Sequence, residues 1–253
     1  MKFSFISTNG KKMNSNHRPF RLFILHPKAL LVEWKREPSF LMIKKLVLLK
    51  KALEKNSLVK TITLAYNSLL LQLSKKIESK DFWKEQIEQI EAEISKNNFE
   101  IGSHWVIPVC YEKDYAPDLI AAAHALNLKT DELIELHSQT PYVVNFIGFL
   151  PGFLYLSGLD KRLHLPRKEK PSLFVPRGSV GIGGNQTGIY PQESPGGWHL
   201  IGKTPLSLFD PNHSPPCFAT AGDTITFDPI DSKTFLRIEK EVHKGFYKIK
   251  PRV

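Results

Sequence analysis

The chain has 253 residues, 42% of them hydrophobic and 24% charged, a composition that excludes collagen, coiled coil and wholesale disorder. At roughly 100 to 200 residues per domain, that length suits one large domain or two smaller ones. The net charge of +10 sits in the N-terminal third: residues 1–80 hold 17 Lys+Arg against 4 Asp+Glu, and residues 81–253 hold 18 against 21. These lysines come without arginine clusters or interleaved aromatics, so they read as a solvated face and not as a nucleic-acid surface. Cys110 and Cys217 are the only two cysteines, too few for a disulfide framework and in no zinc-binding spacing. No window approaches the roughly eighteen apolar residues of a membrane span, and the apolar start is too short for a secretory signal. A cytoplasmic protein with no membrane and no nucleic-acid partner is expected.

Residues 1–17 lack any period and read as a frayed extension. Phe20–Leu25 and Ala29–Trp34 alternate as strands around His26-Pro27-Lys28, a hairpin turn. Ser39 is the expected N-cap of a helix carrying Leu41, Leu46, Leu49 and Leu53, and Asn56 closes it. Two more strands, Leu58–Ala65 and Ser68–Leu73, precede an amphipathic helix over Asp81–Lys96. Strands and helices mix in an α+β order.

The architecture then changes near residue 100. Residues 141–230 hold 12 of the 15 glycines and 12 of the 18 prolines. A strand at Trp105–Cys110 leads to a helix from Pro117 to about Leu126 and a second over Asp131–Leu136 capped by Thr130. Short strands between Gly/Pro turns follow at Tyr142–Phe149, Ser179–Ile182, Trp198–Ile201, Leu206–Phe209 and Thr224–Phe227, the mark of a β-barrel or sandwich. The expected organisation is an extension over 1–17, an α+β domain over 18–100 and a β-barrel domain over 101–253.

Gly197-Trp198-His199-Leu200-Ile201-Gly202-Lys203-Thr204 matches the P-loop pattern letter for letter. Its bulky interior residues, and Pro205 where a helix should start, argue against a phosphate cradle. The glycine cluster from Gly178 to Gly188 has Gln186 where a dinucleotide fingerprint needs glycine. It reads either as a tight turn region or as a polar ligand loop offering Asn185, Gln186, Thr187, Tyr190 and Glu193. None of the nine histidines stands in a metal-binding spacing, so no metal is assigned. His137 falls at a helix end, where it reads as a surface or capping residue or as an exposed general base. No nucleophile elbow occurs.

The segment Val143-Val144-Asn145-Phe146-Ile147-Gly148-Phe149-Leu150-Pro151-Gly152-Phe153-Leu154-Tyr155-Leu156, followed by Gln186-Thr187-Gly188-Ile189-Tyr190-Pro191 and Ser194-Pro195-Gly196-Gly197-Trp198, resembles the family of PxpB, KipI and allophanate hydrolase subunit 1. The likeness runs from about Phe20, through Ala65-Tyr66-Asn67-Ser68, to about Ile230. It implies an N-terminal α/β sandwich-like domain and a cyclophilin-like β-barrel. It further implies the B subunit of an ATP-dependent 5-oxoprolinase, acting with subunits A and C on 5-oxoproline, with the ATP site not assigned to this chain. The alternative within the family is a KipI-like regulator whose partner is a sensor histidine kinase. Carried over position by position, the resemblance puts His137, Phe149, Pro151, Phe153, Pro166, Arg167, Gln186, Tyr190, Gly197 and Trp198 around a ligand surface. His137, Arg167 and Gln186 are the catalytic candidates, with Thr187 among the ligand-binding residues. Where the family carries a second Pro-Arg pair, Pro171 is followed here by Ser172, and Arg177 is the nearest substitute.

Overall fold

In the computed structural model, which describes residues 20–35, 39–96 and 102–252, the chain builds two large hydrophobic cores side by side and a third, small one. The proposed extension over 1–17 lies outside the described residues. The first core rests on a four-stranded antiparallel sheet of β1 (Phe20–His26), β2 (Ala29–Trp34), β3 (Val59–Leu64) and β4 (Ser68–Leu73), in the order β1-β2-β4-β3. Period-two alternation sends Leu30, Val32 and Trp34 of β2, and Leu69, Leu71 and Leu73 of β4, to one buried face.

Helices α1 (Phe40–Leu53) and α2 (Lys80–Lys96) cover that face. Ser39 caps α1 as expected, its hydroxyl accepting from Met42 N at 3.2 Å. On α1, Met42, Ile43, Leu46, Leu49 and Leu53 point inward. Glu91 of α2 accepts from Trp34 Nε1 at 2.8 Å and is ion-paired with Lys45 of α1, so one carboxylate ties the sheet to both helices.

The second core is the interior of a closed barrel. Its strands are β5 (His104–Cys110), β6 (Tyr142–Ile147), β7 (Leu154–Ser157), β9 (Ser179–Gly183), β10 (Gln186–Ile189), β12 (His199–Lys203) and β13 (Thr224–Ile230). They run in the order β12-β9-β10-β7-β6-β13-β5, and the pairing of Lys203 on β12 with Cys110 on β5 closes the ring. Only β13 and β5 pair in parallel within it. The fold is thus mixed α+β with a seven-stranded barrel. Leu154, Leu156, Val180, Ile182, Ile189, Ile201 and Ile225 fill the interior.

Helices α3 (Leu119–Ala125) and α4 (Thr130–Gln139) pack on the barrel, α5 (Ser232–His243) follows β13, and β14 (Pro251–Arg252) adds to β5. Between β7 and β12 a small flap pairs β8 (Ser172–Val175) with β11 (Ser194–Gly196).

Three expectations need correction. Leu206–Phe209 forms no strand: Leu206 and Leu208 are buried in the barrel core from irregular backbone, because Pro205 removes a donor at the start of the segment. Thr130 is the first residue of α4, and Lys129, in extended conformation, takes the cap position without a side-chain bond. The glycine cluster is neither a turn region nor a loop over most of its length, but the β9–β10 hairpin with only Gly184 and Asn185 at its tip. Among the described residues no helix is long and apolar enough to cross a membrane.

Candidate functional site

The strand glycines explain the site. A side chain's first carbon at Gly183 would stand 2.5 Å from Trp198 Cδ1, and one at Gly188 would stand 2.9 Å from Trp198 Cζ3. Bare backbone on β9 and β10 is therefore what lets the Trp198 indole lie against the outer barrel wall. Phe153, Tyr190 and Trp198 form a small core of their own on this wall, joined by Val175 and Leu200, with Tyr155 packed against it. Phe153 meets Tyr190 at 5.2 Å and Trp198 at 5.7 Å, both edge-on, the geometry favoured by aromatic quadrupoles.

Arg167 lies over the indole, its Cζ 5.9 Å from the ring centroid. The segment that carries it is pinned on both sides. His199 Nε2 is 2.9 Å from Pro166 O, Lys168 N donates to Gly197 O at 2.8 Å, and Lys168 Nζ pairs with Asp118 at 2.6 Å. Asp118 is itself held by Leu200 N at 2.7 Å. The result is a cavity of about 270 Å³ with an aromatic floor and one guanidinium, lined by Phe149, Phe153, Tyr155, Arg167, Tyr190 and Trp198. Phe149 stands exposed at its mouth with φ 67°, a left-handed conformation rare for a bulky residue.

Gln186 lines an adjoining cavity of about 370 Å³ with Tyr66, Ser157, Lys161, His164 and Asn185. The two cavities meet at a cluster that the barrel shares with the first sheet. Tyr66, in the hairpin turn between β3 and β4, packs edge-on against Phe146 at 4.7 Å and Tyr155 at 6.3 Å, and its hydroxyl accepts from Gln186 Nε2. Burial pushes the Tyr66 and Tyr190 hydroxyls above their ordinary pKa, and the Arg167 charge opposes that rise at both. Both phenols are therefore neutral donors near pH 7.

Two residues expected at this surface are elsewhere. His137 has no exposure and is enclosed at the barrel end, stacked on Phe227 at 4.6 Å. Its Nδ1 is 2.8 Å from Tyr111 Oη and its Nε2 is 2.9 Å from Thr187 Oγ1. Burial lowers its pKa to about 3, so it is a neutral core residue and not an exposed base. Thr187, also fully buried, bonds Gly181 O at 3.0 Å and points away from the ligand surface, as its place beside outward-facing Gln186 on a strand requires. Arg177 lines a different cavity with Lys203, Glu239 and His243 and gives no second cation beside Arg167.

Lys203 is likewise no phosphate ligand by setting. It lies on strand β12 with no helix after it, its ammonium 5.9 Å from the Phe235 ring centroid. Among the described residues no group of three or more His, Cys, Asp or Glu side chains could hold a metal ion. Tyr66 is the site residue that the sequence does not point to directly. Its signals are an aromatic at a short hairpin turn, where solvent would otherwise surround it, and its place in the Ala65-Tyr66-Asn67-Ser68 stretch of the family resemblance.

The family profile described as carboxyltransferase domain, subdomain C and D, matches residues 20–219, a span that includes every residue of both cavities. The chain belongs to this family. Among its curated relatives, the 5-oxoprolinase B subunit of Bacillus subtilis is 45% identical over 159 residues, covering 62% of this chain and 66% of that protein. The protein of the same name from Haemophilus influenzae is 47% identical over 143 residues, 56% of this chain and 67% of that one. The match thus spans about two thirds of the length of these relatives. Among solved structures, the conserved uncharacterized protein PH0987 of Pyrococcus horikoshii is 38% identical with a TM-score of 0.52, covering 85% of this chain and all of that one.

Proposed function

We propose that this chain is the B subunit of an ATP-dependent 5-oxoprolinase, a non-autonomous component that acts with subunits A and C to open 5-oxoproline to glutamate. The observation that carries this reading is the 45–47% identity to proteins named as the B subunit of 5-oxoprolinase. The two cores support a division into domains over 18–100 and 101–253, with the ligand surface on the barrel and Tyr66 reaching it from the first domain. Cys110 and Cys217, both buried free thiols, suit a reducing cytoplasmic setting.

Lactam opening needs water to add to the carbonyl carbon, the C–N bond to break and the ring nitrogen to take a proton. A lactam is a poor electrophile, and ATP, handled by the assembly, supplies the activation. What this chain offers is binding and charge. Arg167 carries a guanidinium suited to a carboxylate or a developing oxyanion, the aromatic floor excludes water from one face of a small ring, and Gln186 supplies an amide donor and acceptor. His137 and Thr187 take no part. A tag on this chain should recover subunits A and C in stoichiometric amounts after co-expression. Recovery of this chain alone would count against the reading.

A further inference from the structure

We infer that Tyr66 is a positioning residue that fixes the Gln186 carboxamide for two-point pairing with a small cyclic amide, so the ligand site is built by both domains. The inference rests on the 5-oxoprolinase reading for its choice of ligand. A carboxamide free to rotate presents its N–H₂ and C=O to a ligand in either order, and a lactam, with N–H and C=O on the same edge, tells the two orders apart. Pairing needs Gln186 Oε1 to accept from the lactam N–H while one Nε2 hydrogen is donated to the lactam oxygen.

In the structure the Tyr66 hydroxyl accepts the other Nε2 hydrogen and so holds the carboxamide in one orientation. No hydrogen bond joins Gln186 Oε1 to a described residue, which leaves it for the ligand. Tyr66 can hold the carboxamide because it is held itself. Its ring is wedged against Phe146 and Tyr155, and its turn is anchored to the end of β2 by Trp34 N donating to Asn67 O at 2.8 Å and Asn67 Nδ2 donating to Trp34 O at 2.9 Å. The hydroxyl thus works on an element that belongs to the other core, which a purely barrel-based site would not need.

The test is Tyr66→Phe, which keeps the ring and removes the hydroxyl, in the reconstituted complex of all three subunits. The expected result is a KM for 5-oxoproline raised about tenfold, kcat within about twofold and an unchanged melting temperature. Gln186→Ala should raise KM at least as far, and the double variant should be no worse than Gln186→Ala, because the hydroxyl acts only through the carboxamide. Wild-type kinetics in Tyr66→Phe, or losses that add in the double variant, would overturn the inference while leaving the 5-oxoprolinase reading intact. If the wild-type complex does not turn over 5-oxoproline, that reading fails, and NMR relaxation of the Gln186 side-chain amide still decides the positioning role. The amide should be rigid in the wild-type chain and mobile in Tyr66→Phe, and equal mobility in the two would refute it.

Discussion

Trp198 and Gly183 are in direct contact, ring to backbone: a side-chain carbon added at 183 would fall 2.5 Å from Cδ1 and 2.8 Å from Cγ and Nε1 of the indole. The floor of the aromatic groove therefore depends on a residue that contributes no atoms to it beyond the main chain. Gly183→Ala should displace the indole and destabilise the fold by about 1–3 kcal/mol, the usual cost of overpacking. Urea unfolding of the purified chain measures this, and wild-type stability would contradict it.

The enclosure of His137 predicts an acid-sensitive fold. Its folded pKa is lowered to about 3 from 6.5, so below pH 6.5 the unfolded chain takes up a proton that the folded chain refuses. Stability is then flat above that pH and falls by about 1.4 kcal/mol for each unit down toward pH 3. Unfolding free energies from urea titrations near pH 7 and near pH 5 should differ by about 2 kcal/mol more in the wild type than in His137→Gln. An equal pH dependence in both would assign the effect to other groups.

Lys203→Ala should leave ATP affinity of the assembled complex unchanged, since the lysine lies on a barrel strand that runs into Pro205 with no helix directly after it, and its ammonium packs over Phe235. Equilibrium nucleotide binding to wild-type and variant complexes checks this. A loss of tenfold or more in a stably folded variant would restore the P-loop reading.

How much of the molecule is legible in the sequence follows how local the physics is. The hairpin of β1 and β2, the Ser39 cap and the alternation in β4 depend on neighbours a few residues away, and they read directly. Helix α5 is equally local, with Asp231 accepting from Thr234 N at 2.8 Å and Phe235 and Ile238 on one face, although it is absent from the elements expected above. The glycine cluster misleads for a different reason. Glycine in a strand makes sense only when something packs on it, and Trp198 comes from the approach to a third strand. The flap of β8 and β11 joins short segments about twenty residues apart, below what periodicity detects. At the site, Arg167, Tyr190 and Trp198 do come together. Thr187 does not join them because the alternation of β10 that turns Gln186 outward turns it inward, and Tyr66 is brought in from a different core.

Arg167 is exposed and does no work in either core, so Arg167→Ala should melt within a few degrees of wild type. In the reconstituted complex it should lose tenfold or more in kcat/KM for 5-oxoproline, the worth of one charge-assisted hydrogen bond. Steady-state kinetics beside a melting curve separate the two effects, and unchanged kcat/KM would remove Arg167 from the site.

The most direct measurement of the central claim is 5-oxoproline-dependent ATP hydrolysis by this chain alone, by subunits A and C without it, and by all three together. The account predicts ADP and glutamate formation only in the complete mixture. Full activity without this chain, or robust 5-oxoproline hydrolysis by the chain alone, would contradict it.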